Sequence, residues 1–238
     1  METKRLNKAI SETGYCSRRG ADKLIEAGEV KVNGQLPELG TKVTASDVIT
    51  VNGTVITKEV ENIYLAFNKP VGITCTTERH IEGNIIDYIN YPERIFPIGR
   101  LDKPSEGLIF MTNDGDIVNK ILRSKNSHQK EYVVTVSRRI TSDFIDEMSN
   151  GVPILDTVTE KCVVKRINDT TFNIILTQGL NRQIRRMCDY LGYQVNTLQR
   201  VRIMNISLDG IKKGEYRSFT EKELSEINEL IKDSSKTF

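Results

Sequence analysis

Apolar positions change their period several times in the first third of the chain. Leu6, Ala9 and Ile10 fall at i, i+3 and i+4, which predicts a short helix over 5–12 that Gly14 ends. Ser17 is placed to cap a second helix, with Ala21, Leu24 and Ile25 on its buried face and Gly28 as its stop. Val30 and Val32 then alternate toward Asn33-Gly34, and residues 48–56 alternate around a second pair, Asn52-Gly53. Asn-Gly is a strong hairpin pattern because both residues accept positive φ. Two helices and hairpins in about 50 residues form a compact unit, of a size that usually leans on a partner. The polar stretch Thr57–Asn62 has no such pattern and predicts a linker, which divides the chain into domains 1–57 and 63–238.

Beyond it, Tyr64–Phe67 reads as a buried strand running into the turn Asn68-Lys69-Pro70-Val71-Gly72. Thr77–Gly83 has mixed charge and no period, as a mobile loop near a site would, and Asn84–Ile89 holds one or two helical turns. Leu108–Thr112 is a short apolar strand closed by a Gly-containing turn, with a helix through Ile117, Ile121 and Leu122 ending near Ser124. Lys130–Val136 is a strand, and Thr141 caps a helix containing Phe144, Ile145 and Met148. Gly151–Leu155 is extended, and residues 161–167 and 171–176 alternate as a strand pair. Asn181 is placed to cap, and Gly192 to end, a helix with the apolar stripe Ile184, Met187, Cys188 and Leu191. Val201–Leu208 is extended, and Thr220 caps an amphipathic helix over Glu221–Ile231.

Composition narrows the class without deciding it. With 38% apolar and 28% charged residues in 238, the chain is that of an ordinary soluble protein. No apolar run approaches the roughly 20 residues of a membrane span, and METKRLNKAI lacks a signal-peptide core. Cys16, Cys75, Cys162 and Cys188 lie far apart, and neither His80 nor His128 has a neighbour at metal spacing. The expectation is a reduced, cytoplasmic protein with no membrane association and no metal. No Gly-x-Gly-x-x-Gly or Walker-type loop offers a nucleotide cofactor a seat, so no cofactor is expected. A net charge of +2 is too small to argue for nucleic acid, so the placement of the cations matters more.

Two stretches carry candidate chemistry. Gly99 and Gly107 bracket Arg100-Leu101-Asp102, so the backbone can turn sharply and hold a carboxylate beside a cation. Spacing alone fits a capping Asp with a surface Arg as well as it fits a nucleophile or general base. Further on, Arg182, Arg185 and Arg186 crowd one face near a helix start, an arrangement that favours an incoming anion but also fits a basic surface turn. Arg200 and Arg202 can extend that basic surface. Arg5, Lys8, Arg18, Arg19 and Lys23 fall within the first two helices, nearly balanced by Glu12, Asp22 and Glu26. Tyr132 on its strand reads, by pattern, as an ordinary half-buried tyrosine.

GRLDKPSEGLIFMTNDGD resembles the catalytic-aspartate motif of the RsuA-type pseudouridine synthases, roughly GRLDxxxxGLLxxTNDG, with Ile109 where Leu is usual. RLNKAISETGYCSRRGADKLIEAGEVKVNG resembles the S4 RNA-binding domain, Asn68–Gly72 the "NKPxG" opening of the synthases, and QGLNRQIRRM their final motif. The resemblance covers nearly the full length, and residues 118–123 and 151–162 bring it closest to the RluF branch. It implies an α+β fold, with a small N-terminal S4 domain and a synthase domain built on a largely antiparallel mixed sheet whose central cleft holds Asp102. It implies that Asp102 is the catalytic carboxylate, that Arg185 pairs with it, and that Tyr132 of a Lys-x-Tyr unit stacks on the target base. Arg100 would fill the space the base leaves, Ile184, Arg182 and Arg186 would meet the RNA, and Arg5, Lys8, Arg18, Arg19 and Lys23 would face phosphates. The implied substrate is a uridine of 23S rRNA, with a tRNA anticodon uridine as a further target, acted on by a monomer without cofactor. Two other classes stay open: a non-catalytic S4 adaptor, and a nucleoside hydrolase or glycosidase, which usually needs a second acid.

Overall fold

The computed structural model of the protein describes residues 3–56, 60–122 and 127–234. Its contacts divide the chain into two units: Met1–Ile63 with Tyr91–Ile95 and Asn113–Gly115, and Tyr64–Asn90 with Phe96–Thr112 and Asp116–Phe238. Of the expected linker, residues 57–59 lie outside the described residues, as do 123–126, where the helix through Ile121 was expected to end.

The first unit runs β1 (Lys4–Arg5), α1 (Leu6–Glu12), α2 (Arg18–Glu26), β2 (Val30–Val32), β3 (Lys42–Val43), β4 (Ile49–Val51) and β5 (Thr54–Val55). Leu6, Ile10, Ala21, Ile25, Val30, Val43 and Val51 close one small core, and all of them but Val43 stand in the segments that the helical and alternating periods single out. Ser17 Oγ accepts from the Gly20 N–H at 3.0 Å and so starts α2. Asn52-Gly53 joins β4 to β5 as a tight hairpin. Asn33-Gly34 also forms a tight turn, closed by Val32 and Gln35, which exchange both backbone hydrogen bonds at 2.9 and 3.0 Å; beyond that single bridge β2 takes β4 as its partner. The Asn33 side chain donates to Asp47 at 2.8 Å and accepts from the Val48 N–H at 2.9 Å, drawing the later strand alongside. Arg5, Arg18, Arg19 and Lys23 are exposed, while Lys8 lies half-buried with Nζ 3.5 Å from Glu12.

The remaining elements are β6 (Tyr64–Lys69), α3 (Ile85–Ile89), β7 (Phe96–Ile98), β8 (Glu106–Thr112), α4 (Gly115–Leu122), β9 (Lys130–Val136) and α5 (Ser142–Asn150). They continue with β10 (Pro153–Ile154), β11 (Thr157–Val158), β12 (Val163–Arg166), β13 (Thr171–Leu176), α6 (Gln183–Tyr190), β14 (Val195–Ile203), β15 (Ile206–Ser207), β16 (Tyr216–Ser218) and α7 (Glu221–Leu230). One mixed sheet, in the order β12-β13-β9-β14-β8-β6-β16, organises the unit, with β7 paired to β8 and β15 to β14. Every pairing in it is antiparallel except β14 with β8, so the expected α+β fold with a largely antiparallel sheet is what forms. β6 and β8 are buried along almost their whole length, which is why they read as continuous apolar runs and not as alternation.

Helices cover the sheet in two clusters. Phe144 and Met148 of α5 and Ile184, Met187 and Cys188 of α6 pack with Val134, Phe172, Ile174 and Leu198 of the sheet. Ile117 and Ile121 of α4 and Ile227 of α7 pack with Ala66, Leu108, Phe110 and Ile203. α7 starts with a full capping box between Thr220 and Glu223. The sequence pattern does not reveal β7 and β16, since three residues are too few to show a period. Pro97 sits in β7 where only β8 needs pairing.

One row of the sheet fixes everything that follows. Lys69 lies opposite Gly107, Gly107 opposite Arg200, Arg200 opposite Tyr132, and Tyr132 opposite Ile174, across five neighbouring strands. Gly107 has φ +106°, and a Cβ there would stand 2.3 Å from the Arg200 carbonyl oxygen. The parallel contact between β8 and β14 thus requires a residue without a side chain. Gly107→Ala should destabilise the fold by at least about 2 kcal/mol in urea unfolding, while Gly179→Ala, with nothing within 4 Å, should change it by less than about 0.5 kcal/mol. Equal effects at the two positions would contradict this reading of the row.

Candidate active site

Asp102 begins a four-residue turn: the Ser105 N–H donates to the Asp102 carbonyl at 2.9 Å, and β8 follows immediately. The loop after β6 is joined to this turn at two points. The Gly72 N–H donates to Lys103 O at 2.8 Å, and the Leu101 N–H donates to Cys75 Sγ at 3.4 Å. Lys69 is fully buried, and its ammonium donates to the carbonyls of Pro70 and Ile73 at 2.9 Å each, which holds the loop from inside. That is the structural content of the Asn-Lys-Pro-Val-Gly stretch: a buried cation organises the backbone that the carboxylate loop rests on.

α6 approaches the same turn. Arg182, not Asn181, occupies its N-cap, in the left-handed region at φ 50°. Asn181 is engaged otherwise, since Arg186 donates to its carbonyl at 3.0 Å and to its side-chain oxygen at 3.1 Å. Arg182 is the cation in ion-pair contact with Asp102, Nη1 to Oδ2 at 3.9 Å. Arg185, expected to make that pair from an exposed basic face, is instead buried: residues 183–185 and 187–188 all turn inward at this end of the short helix. Its Nη2 donates to Ser105 Oγ at 3.0 Å and to Pro104 O at 3.3 Å, while its Nε has no partner among the described residues. Burial and the like charge of Arg182 push the Arg185 guanidinium below its usual range, with Asp102 pulling the other way. Arg200 also departs from the expected basic surface. It is buried, donates from Nε to Leu108 O at 2.6 Å, and places its guanidinium carbon 6.0 Å from the Tyr132 ring centre.

These groups line a cavity of about 100 Å³, to which Arg100, Asp102, Ser105, Tyr132, Arg182, Ile184 and Arg185 contribute beside Leu176, Leu180 and Leu198. That is several times the space one water needs, on the scale of one flat ring and far too little for a paired helix. Of the synthase-domain residues the sequence singles out, Arg186, Arg200 and Arg202 do not line it. Ser105, Cys75 and Gln183 escape sequence reading. Gln183 accepts from the Leu180 N–H at 3.0 Å and donates to Gln178 at 3.1 Å, fixing the approach to α6. A serine between Pro104 and Glu106 looks like any loop residue until its burial is known.

A family model for RNA pseudouridylate synthase matches residues 63–190 and an S4 domain model matches residues 4–49. The chain is 57% identical to dual-specificity RNA pseudouridine synthase RluF of Escherichia coli (strain K12), over 97% of this chain and 80% of that one. It is 33% identical to ribosomal large subunit pseudouridine synthase B of Bacillus subtilis (strain 168), over 98% and 99% of the two chains. The chain belongs to the RNA pseudouridylate synthase family. A crystal structure of a pseudouridylate synthase superposes with a TM-score of 0.69 at 28% identity, covering 95% of this chain and 99% of that one.

The synthase sheet carries an unusual charge beside Tyr132. Lys130 is buried one pleat away, and burial together with the positive Arg200 pushes its ammonium down to about 8. In the unfolded chain the same group titrates near 10.4. Below about pH 8 the folded state therefore bears the full cost of a buried cation, on the order of 3 kcal/mol, and between about 8 and 10.4 that cost fades as the unfolded chain holds more protons. Lys130→Met should be more stable than the parent at pH 7, by up to about 3 kcal/mol, and this gain should shrink to under about 1 kcal/mol at pH 10. Urea unfolding at the two pH values measures it, and an equal difference at both would contradict the burial of a charged Lys130.

Proposed function

We propose that this synthase isomerises a uridine of 23S rRNA, accepts a tRNA anticodon uridine as a second substrate, and uses Asp102 as the reacting carboxylate. What supports the reading most is that Asp102, Tyr132, and Arg182 with Arg185 at the start of α6, from three distant parts of the chain, line one small cavity. The names of the relatives, one dual-specificity and one of the ribosomal large subunit, support the choice of RNA.

A paired uridine cannot bring C1′ or C6 to a carboxylate, so the target leaves its stack or comes from a loop. Its base would lie on the Tyr132 ring, with Arg100 taking the space it vacates. Asp102 meets C1′ as the C1′–N1 bond breaks; uracil turns in the cavity, the C1′–C5 bond forms, and the C5 proton is lost while N1 gains one. The atoms balance without oxidant or hydrolytic water. Arg182 and Ile184 hold the nucleotide around the carboxylate, Arg185 backs Asp102 from inside the protein, and Arg186, outside the cavity, meets the RNA beyond it. Residues 1–57, as the S4 domain, would supply register and affinity through phosphate contacts by Arg5, Lys8, Arg18, Arg19 and Lys23, and residues 63–238 the chemistry. A ribosomal substrate would place the protein, a monomer, in the cytoplasm.

Unmodified 23S rRNA and tRNA transcripts incubated with the protein and mapped for pseudouridine test this directly. The expected outcome is pseudouridine at one 23S uridine and in the tRNA anticodon. Release of free uracil would mark a hydrolase, and unchanged RNA that nevertheless binds would mark an adaptor; either result overturns the proposal.

A further inference from the structure

We propose that Ser105 is a positioning residue for the reaction, its hydroxyl holding the Arg185 guanidinium against the turn that carries Asp102; the inference rests on the reading of Asp102 as the reacting carboxylate. Ser105 is 1% exposed, so its hydroxyl must be satisfied inside the protein. Two of its polar groups tie the site together. The N–H closes the turn onto the Asp102 carbonyl at 2.9 Å, and Oγ accepts from Arg185 Nη2 at 3.0 Å, a bond between residues 80 positions apart in the chain. The same nitrogen reaches Pro104 O at a longer 3.3 Å. Both acceptors that Arg185 finds are therefore the last two residues of the Asp102 turn.

The consequence for Arg185 is geometric. Its guanidinium is fixed at one end by Ser105 while Nε, buried and without a partner among the described residues, remains a spare donor on a side chain that lines the cavity beside Asp102. A guanidinium has five donors in a rigid plane, so fixing Nη2 fixes the direction of Nε. Without the hydroxyl, Nη2 keeps only the longer contact to Pro104, and the plane is free to tilt. The turn itself does not need the hydroxyl, because the closing bond comes from the backbone. Alanine therefore removes the hold on Arg185 and leaves the turn in place, which separates positioning from turn formation.

Single-turnover pseudouridine formation on rRNA by the full-length protein tests this, with Ser105→Ala, Ser105→Thr, Arg185→Gln and the double variant Ser105→Ala/Arg185→Gln. A hydrogen bond to a charged group is among the stronger ones, so Ser105→Ala should slow the chemical step by about ten- to a hundredfold and leave RNA affinity within about threefold. Ser105→Thr, which keeps the hydroxyl, should retain the rate within about fivefold, and the double variant should be no more than about threefold slower than Arg185→Gln alone. Ser105→Ala within about twofold of the parent rate, or losses that multiply in the double variant, would overturn the proposal. Should Ser105→Ala fail to fold by circular dichroism, Ser105→Cys, of similar volume but a weak acceptor, is read by the same criteria. A parent protein that forms no pseudouridine would overturn the reading of Asp102 itself; an active parent with a fully active Ser105→Ala would overturn only the role of Ser105.

Discussion

The parallel contact of β8 with β14 at Gly107 and Arg200 is the constraint from which the site is built. It brings two backbones closer than any side chain at 107 would permit. Because β8 starts directly after the Asp102 turn, the contact sets where that turn emerges from the sheet. Because Arg200 is also in register with Tyr132, it sets which strand position faces the carboxylate. Arg200 locks the crossing from its side chain as well, through the hydrogen bond to the Leu108 carbonyl. The turn that carries Asp102 is thereby mounted on a rigid element and not on a free loop.

The electrostatics follow from the same row. Lys69, Lys130, Arg185 and Arg200 are buried, and no carboxylate among the described residues is buried as deeply. Burying like charges together opposes folding, and burial pushes the ammonium groups of Lys69 and Lys130 down. Lys69 regains part of that cost through two carbonyls and through the neighbouring Glu106 and Asp102. On the proposed reading, such buried cations behind the cavity suit a site that receives a polyanion. A near-neutral chain can therefore gather positive charge in one place, since net charge says nothing about placement.

Much of this was legible in the sequence, and the parts that were not share a cause. Helices α1, α2, α5 and α7 and strands β6, β8 and β9 follow from period, caps and turn residues, all local properties. Resemblance points to Asp102 through the GRLD stretch, to Tyr132 through the Lys-x-Tyr unit and to Arg185 through QGLNRQIRRM. What escaped depends on pairing between distant strands or on burial of polar groups. Arg185 and Arg200 look like surface arginines because charge usually means exposure, and only the tertiary fold turns them inward. Ser105 carries no pattern of its own. Asn181 is a good cap by type, but Arg186 claims its oxygens, so the cap passes to Arg182 in a left-handed conformation that no propensity would choose.

The central claim is that a single carboxylate, held rigidly by these contacts, performs the isomerisation. Asp102→Asn keeps the shape of the side chain and removes its charge and nucleophilicity together. Single-turnover conversion of uridine to pseudouridine in rRNA by this variant, with RNA affinity measured alongside, is the most direct measurement. The account predicts a folded protein that binds RNA with an affinity near that of the parent and reacts slower by about 10⁴-fold or more. Pseudouridine formation at more than a few per cent of the parent rate would contradict it.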